Sequence, residues 1–308
     1  MAFSGVLRPG HVQIRVMDID AATKHYRDVL GLNEVGTDSD GRVYLKAWDE
    51  HDNHSVVLRE AESPGMDHLA WKVLDSDTMT TLGKKISDSG IDVETLPAGE
   101  QPGIGERVRF TAPTGHVFDL YAEIEQPGNG LSIENPEVWP DGLHGMHPTR
   151  FDHVLLYGDD LDGSVKLFRE VLGFSLAEQV VTQDKSLMIG AFLTCSNKAH
   201  DIAFIRSEGK GQFHHASFYL ESWHDIMLAA DIISRNDVEL DIGPTRHGIT
   251  RGGTIYFFDP AGNRNEVFCG GYQYYPDNPV LTWTDNELGK AIFYYDRKLN
   301  ENFLGVTT

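Results

Sequence analysis

The stretch Gly252-Gly-Thr-Ile-Tyr-Phe-Phe-Asp-Pro-Ala-Gly-Asn-Arg-Asn-Glu-Val-Phe268 reads as a β-hairpin. One strand is predicted over Thr254 to Phe258 and its return over Arg264 to Phe268. Asp-Pro-x-Gly suits the turn between them, because proline presets φ and glycine accepts positive φ. Alternation puts Tyr256 on a face with Thr254 and Phe258, and Glu266 with Arg264 and Phe268. A phenol and a carboxylate on neighbouring strands, amid apolar residues, call for a chemical reason.

The hairpin has an echo. Phe110-Thr-Ala-Pro-Thr-Gly115 with Asp119 answers Phe258-Asp-Pro-Ala-Gly262 with Glu266, and Pro113, Pro97 and Asp119 each lie 147 residues before Pro260, Pro244 and Glu266. Met66-Asp-His68 answers Phe213-His-His215 at the same offset. Nearer the start of each half, Pro9-Gly-His11 and Phe151-Asp-His153 differ by 142 residues, so a five-residue loop insertion covers the drift. Both strands lead into helical stripes, Ala22/Tyr26/Val29/Leu30 and Val165/Phe168/Val171/Leu172, each closed by a glycine (Gly31, Gly173) suited to a left-handed C-terminal residue. Further helices are predicted over Ser76 to Ser89 and Trp223 to Arg235. Short alternating strands follow at Val43 to Trp48, Ser55 to Glu60, Leu187 to Thr194 and Asp201 to Arg206.

This is a duplicated α+β chain of four βαβββ modules, two per domain, each domain a sheet curled around a cavity. The expected boundaries are an N-terminal repeat domain over 1–125, a Pro/Gly/Asn-rich linker over 126–149, and a C-terminal domain over 150–308. Leu288, Ile292, Tyr295, Leu299 and Phe303 fit one C-terminal helical stripe.

Bulk properties narrow the partners. With 308 residues, 40% apolar and 24% charged, the chain suits a globular protein of two domains. A formal charge of −21 argues against nucleic acid or anionic membrane. No leader or membrane-length apolar run stands out, and two distant cysteines, Cys195 and Cys269, fit reduced thiols in the cytoplasm.

The repeat register brings His153, His215 and Glu266 to corresponding points on three strands. A histidine on a strand is more often a hydrogen-bonded core residue than a ligand. Yet two imidazoles and a carboxylate converging on one face make the facial triad that holds a divalent ion with open positions.

The motifs Arg150-Phe-Asp-His-Val154, His214-His-Ala-Ser-Phe218, Gly243-Pro-Thr-Arg-His-Gly248 and the hairpin itself closely resemble the extradiol ring-cleavage dioxygenases, most of all the catechol 2,3-dioxygenases. The resemblance spans essentially the whole chain. It implies the vicinal oxygen chelate fold and meta cleavage of catechol or substituted catechols by O2. It implies Fe(II), with Mn(II) equally suited to the ligands, held by His153, His215 and Glu266. It further implies catalytic roles for His200, His247 and Tyr256, and a homotetramer. His214 is expected to face the opposite side of its strand in a structural role. Phe192, Ile249, Ile292 and Phe303 are candidates for the walls of an aromatic site, although ordinary core packing is the commoner use of such residues.

The first half carries His11, His68 and Asp119 at the ligand-equivalent positions, and His54 near the counterpart of His200. Aligning Phe110 with Phe258 makes Val108 the counterpart of Tyr256, and Glu100 that of His247. Lacking acid and donor groups, the first set is expected to hold no working metal. Two further readings are a redox-neutral isomerase or epimerase of the same fold, and a ligand-sequestering protein without catalysis.

Overall fold

The computed structural model describes residues 5–308. The first four residues of the predicted 1–125 domain lie outside the described residues. Module one comprises β1 (Val6–Val16), α1 (Ile19–Lys24), β2 (Asn33–Thr37), β3 (Val43–Lys46) and β4 (Val56–Glu60). Module two comprises β5 (Gly65–Val73), α2 (Ser76–Asp88), β6 (Val93–Leu96), β7 (Arg107–Thr111) and β8 (Val117–Tyr121). Module three has β9 (Arg150–Gly158), α3 (Leu161–Lys166), β10 (Ser175–Val181), β11 (Met188–Thr194) and β12 (Ile202–Arg206). Module four has β13 (Gln212–Tyr219), α4 (Trp223–Arg235), β14 (Leu240–Arg246), β15 (Gly252–Phe258) and β16 (Arg264–Gly270). The chain ends with β17 (Leu281–Thr284), α5 (Leu288–Ile292) and α6 (Glu301–Gly305).

The four βαβββ units agree with the sequence reading. Modules one and two form an eight-stranded mixed sheet, β2-β3-β4-β1-β5-β8-β7-β6. Modules three and four form a nine-stranded one, β14-β15-β16-β13-β9-β12-β11-β10-β17. The ninth strand, β17, has no counterpart in the first half and pairs in parallel with the edge strand β10.

Local chemistry repeats with the modules. Asp18 and Asp160 each accept a backbone N–H three residues on, capping α1 and α3, while Asp75 and Ser222 do the same for α2 and α4. Both α1 and α3 widen into a π-helical turn, His25–Val29 and Leu167–Val171. Each then ends on the anticipated left-handed glycine, Gly31 at φ +88° and Gly173 at φ +79°.

The predicted single C-terminal helix is not formed. The segment between α5 and α6 turns through Arg297 at φ +53°, and Asn300 caps a new helix by accepting the N–H of Phe303. Tyr295 and Leu299, assigned to the buried stripe, are exposed instead. A left-handed residue breaks the periodicity that the apolar pattern alone suggested.

Packing crosses between the halves. His25 and Tyr26, following α1, bond to Asn265 (2.9 Å) and Asp259 (3.2 Å) of module four. Phe168, following α3, packs edge-on against Phe118 of module two and Phe204 of its own sheet, with ring centroids 5.2 Å away in both cases. One apolar core therefore runs through both sheets. His116 is a polar tie in the same seam, its Nε2 donating to the Gln212 carbonyl at 3.0 Å.

Burial holds the His116 imidazole down at about 4, against about 6.5 when unfolded. The unfolded chain therefore takes up that proton first. Its stability contribution is complete above pH 6.5, declines as pH falls toward 4, and levels off below. Comparing metal-free wild type with His116→Gln by denaturant unfolding from pH 4 to 8 should show a smaller acid loss in the variant, by up to about 3 kcal/mol.

Candidate metal and substrate site

Four adjacent strands and the loops beside them deliver the site. His153 stands on β9, His215 on β13, Glu266 on β16 and Tyr256 on β15, directly across from Glu266. His247 follows β14 and His200 precedes β12. One potential ligand atom from each of His153, His215 and Glu266 lies within 4.8 Å of the others, and all three residues are buried. His153 Nε2 is 3.1 Å and His215 Nε2 3.4 Å from Glu266 Oε2.

The surrounding hydrogen bonds fix which atoms are free. Asp152 Oδ2 accepts from His153 Nδ1 at 3.0 Å, leaving Nε2 to face Glu266. Arg150 and Lys198 hold that aspartate ionised, its carboxyl far below the usual range despite full burial. On the other side His214 Nε2 lies 2.7 Å from the Phe303 carbonyl, which can only accept, so that nitrogen carries the proton. Burial keeps His214 neutral, with its value well below 6.5. Its Nδ1 is therefore an acceptor and takes the N–H of His215 Nδ1 at 2.7 Å. His215 Nε2 is left as a bare lone pair.

This corrects the expected placement of His214. A bulge between Phe213 and His215 interrupts the alternation, so the two imidazoles lie side by side. Sequence reading passed over His214, Asp152 and Phe303 as orienting groups; only the Asp-His and His-His adjacencies hinted at the first two.

A group that binds a cation fits what these atoms lack. His215 Nε2 and Glu266 Oε2 are buried without hydrogen-bond partners, while Thr254 donates to the other Glu266 oxygen at 2.5 Å. Burial opposes the Glu266 charge, but the facing His153 keeps its carboxyl well below the ordinary range, and the Asp152 and Glu266 carboxylates raise His153 in turn. Burial lowers His215 to about 4, so its lone pair is available at neutral pH. Once His153 gives up its proton on metal binding, two neutral nitrogens and an ionised oxygen suit a divalent ion.

The same residues line a cavity of about 520 Å³. His200, His247 and Tyr256 line it, as do Phe192, Ile249, Ile292 and Phe303. The Tyr256 hydroxyl donates to His247 Nε2 at 2.8 Å, and His247 Nδ1 donates to the Ile292 carbonyl at 2.5 Å. Burial and the nearby Glu266 raise the Tyr256 phenol well above 10. Burial and His153 press His200 well below 6.5; its ring centroid is 4.0 Å from that of His153.

The first half gathers its ligand-equivalent residues but neutralises their carboxylate. His11 Nε2 and His68 Nε2 are 3.3 Å apart, and His68 is 3.5 Å from Asp119. Arg107 and Arg109 both bind Asp119, at 2.8 and 2.7 Å. The strand register pairs Arg109 with Asp119 just as it pairs Tyr256 with Glu266. The counterpart of Tyr256 is thus Arg109, not Val108, which faces Leu120. Asp152 is matched by Gly10, where any side chain would collide with Tyr121, and His11 Nδ1 has no partner.

Comparison with known proteins agrees with this architecture. Residues 150–267 match the Glyoxalase/Bleomycin resistance protein/Dioxygenase superfamily, and residues 66–125 match the catechol 2,3-dioxygenase-like N-terminal domain. The chain belongs to the extradiol dioxygenases of that superfamily. It is 57% identical to a metapyrocatechase of Pseudomonas sp. (strain CF600), covering 99% of both chains. It is 29% identical to a manganese-dependent 2,3-dihydroxybiphenyl 1,2-dioxygenase of Geobacillus genomosp. 3, over 93% of this chain and 92% of the other. The solved 2,3-dioxygenase LapB from Pseudomonas sp. KL28 superposes with a TM-score of 0.90 at 49% identity, over 92% of this chain and 99% of its own.

Metal titration of the purified chain should saturate at one divalent ion per chain, because guanidinium groups neutralise the carboxylate of the first set. Two per chain would contradict that account. Replacing His214 with Phe removes the acceptor that orients His215. Metal affinity should fall about 10–100-fold with the circular dichroism spectrum preserved.

Proposed function

We propose that the chain catalyses extradiol cleavage of catechol or substituted catechols by O2, giving 2-hydroxymuconate-semialdehyde-type products. The observation carrying this reading is the meeting of His153, His215 and Glu266 on the lining of an apolar-walled cavity, in a chain so similar to a metapyrocatechase. The reaction balances without an external reductant: one catechol and one O2 enter, and both oxygen atoms stay in the opened product.

His153, His215 and Glu266 would hold Fe(II), and Mn(II) suits the same donors. When bound, the ion supplies a common anchor for both reactants and a route for electron density from catecholate to triplet O2. Tyr256, kept protonated by burial, gives its one proton to His247, so its hydroxyl oxygen is free to accept from a catechol hydroxyl. His200 works at the oxygen side. Neutral and with Nδ1 unpartnered, it can take up the proton that a catechol hydroxyl gives up on binding and return that proton as the O–O bond breaks. The walls at Phe192, Ile249 and Phe303 exclude water and accept a flat ring.

We assign this chemistry to the C-terminal part, 150–308, with 1–125 as a non-catalytic repeat and 126–149 as linker. The exposed Ile133, Val138 and Trp139 of the linker support a homo-oligomer, proposed as a tetramer. The two free thiols suit a cytoplasmic setting.

Adding catechol to the Fe(II)-loaded chain should consume one O2 per catechol, with both atoms of labelled oxygen recovered in the product. Absence of uptake would reject the reading in favour of a redox-neutral or purely binding role. His200→Ala should lower turnover about 10²–10⁴-fold, chiefly in the oxygen-dependent steps, with little change in anaerobic catechol binding.

A further inference from the structure

Glu178 is a buried carboxylate outside the metal-ligand set. It lies on β10, 1% exposed, between Phe192 of β11 and Leu281 of β17. Its Oε1 accepts the backbone N–H of Thr250 at 2.6 Å, and its Oε2 accepts the indole N–H of Trp283 at 2.8 Å. The Tyr272 phenol also stands close to it, and burial together with the carboxylate's charge raises that phenol. These groups come from three separate segments. Thr250 and Tyr272 line the cavity, while Trp283 packs beneath it against the cluster of Val180, Phe192 and Ile249.

The turn held by Glu178 is one that needs holding. Thr250 and Arg251 have φ of +56° and +65°, conformations that branched and long side chains rarely adopt. The turn begins at His247 and carries Ile249 into the cavity wall. From the far side, Gly248 and Ile249 donate to the Ala291 carbonyl at 2.8 Å each, and Tyr272 N–H donates to the Thr250 carbonyl at 3.2 Å. An apolar side chain could fill the space of Glu178 without the desolvation cost of a carboxylate. The carboxylate instead gives the N–H groups of Thr250 and Trp283 an oxygen each.

We propose that Glu178 is a positioning residue that sets the lip of the ring pocket, fixing the His247–Thr250 turn against β17 and so governing catechol affinity. This rests on the ring-cleavage reading above, which the wild-type oxygen assay tests independently.

The test uses the full-length, Fe(II)-loaded chain. Glu178→Gln retains one acceptor but turns an NH2 group toward one of the two donors. KM for catechol should rise about tenfold, with kcat within about threefold and metal content unchanged, the pattern of lost uniform binding. Trp283→Phe alone should raise KM about threefold, and the double variant should match it rather than multiply the two effects, because the amide then faces no opposing donor. An unchanged KM in Glu178→Gln overturns the proposal. So does a fall in metal content, or multiplicative losses in the double variant. If Glu178→Gln does not fold, Trp283→Phe decides alone: a KM equal to wild type overturns the clamp, and a threefold rise at constant kcat supports it.

Discussion

Two buried imidazoles and an ionised carboxylate are directed at one point, and the three cannot all satisfy one another at once. His215 Nε2 and Glu266 Oε2 lack partners within the chain, and moving either toward water would mean opening a sheet. A divalent cation at the centre would satisfy all three groups together. The rest of the second half keeps that unsatisfied geometry from relaxing. The three bearing strands are adjacent, so hydrogen-bonded ladders set their spacing. Asp152 and His214 each take the outer N–H of a ligand histidine, so neither ring can turn its lone pair away.

The first half shows the same scaffold with the tension resolved internally. Asp119 receives Arg107 and Arg109, whose positive charge neutralises it. Thr254 and Tyr256, at the corresponding register positions, bring donors without charge. Two substitutions at a hairpin therefore distinguish a self-neutralised polar core from one that requires a metal. Gly10 removes the outer carboxylate as well, so the two changes reinforce each other. Duplication supplied a stable partner for the working half, since Phe168 and Tyr26 complete their packing only across the seam.

Much of this was legible in the amino-acid order. The hairpin at Asp259-Pro-Ala-Gly262 and its echo at Ala112-Pro-Thr-Gly115 carried the repeat, and the repeat carried His153, His215 and Glu266 to one place. What escaped has physical causes. Strict alternation put His214 on the wrong side because a bulge leaves no mark in composition. Aligning on the more conspicuous aromatic, Phe110 with Phe258, shifted the register by one and hid Arg109. The apolar stripe from Leu288 to Phe303 continues across Arg297, and nothing in hydropathy reveals a left-handed residue there. Glu178 read as one more charged residue of a strand, since its partners are a backbone N–H and an indole far along the chain.

The broken C-terminal segment explains why the chain runs on past its fourth module. Had Leu288 to Phe303 formed one helix, its inner carbonyls would have been spent on intrahelical bonds. Ending α5 at Ile292 frees that residue's carbonyl, and the carbonyl of Phe303, in the last turn of α6, is free as well. The first takes the His247 Nδ1 proton and the second takes the His214 Nε2 proton. Each fixes a tautomer, one for the imidazole that accepts from Tyr256 and one for the imidazole that orients His215. The modules thus supply the ligands, while the irregular tail, through two backbone oxygens, determines the protonation pattern in which those ligands can work.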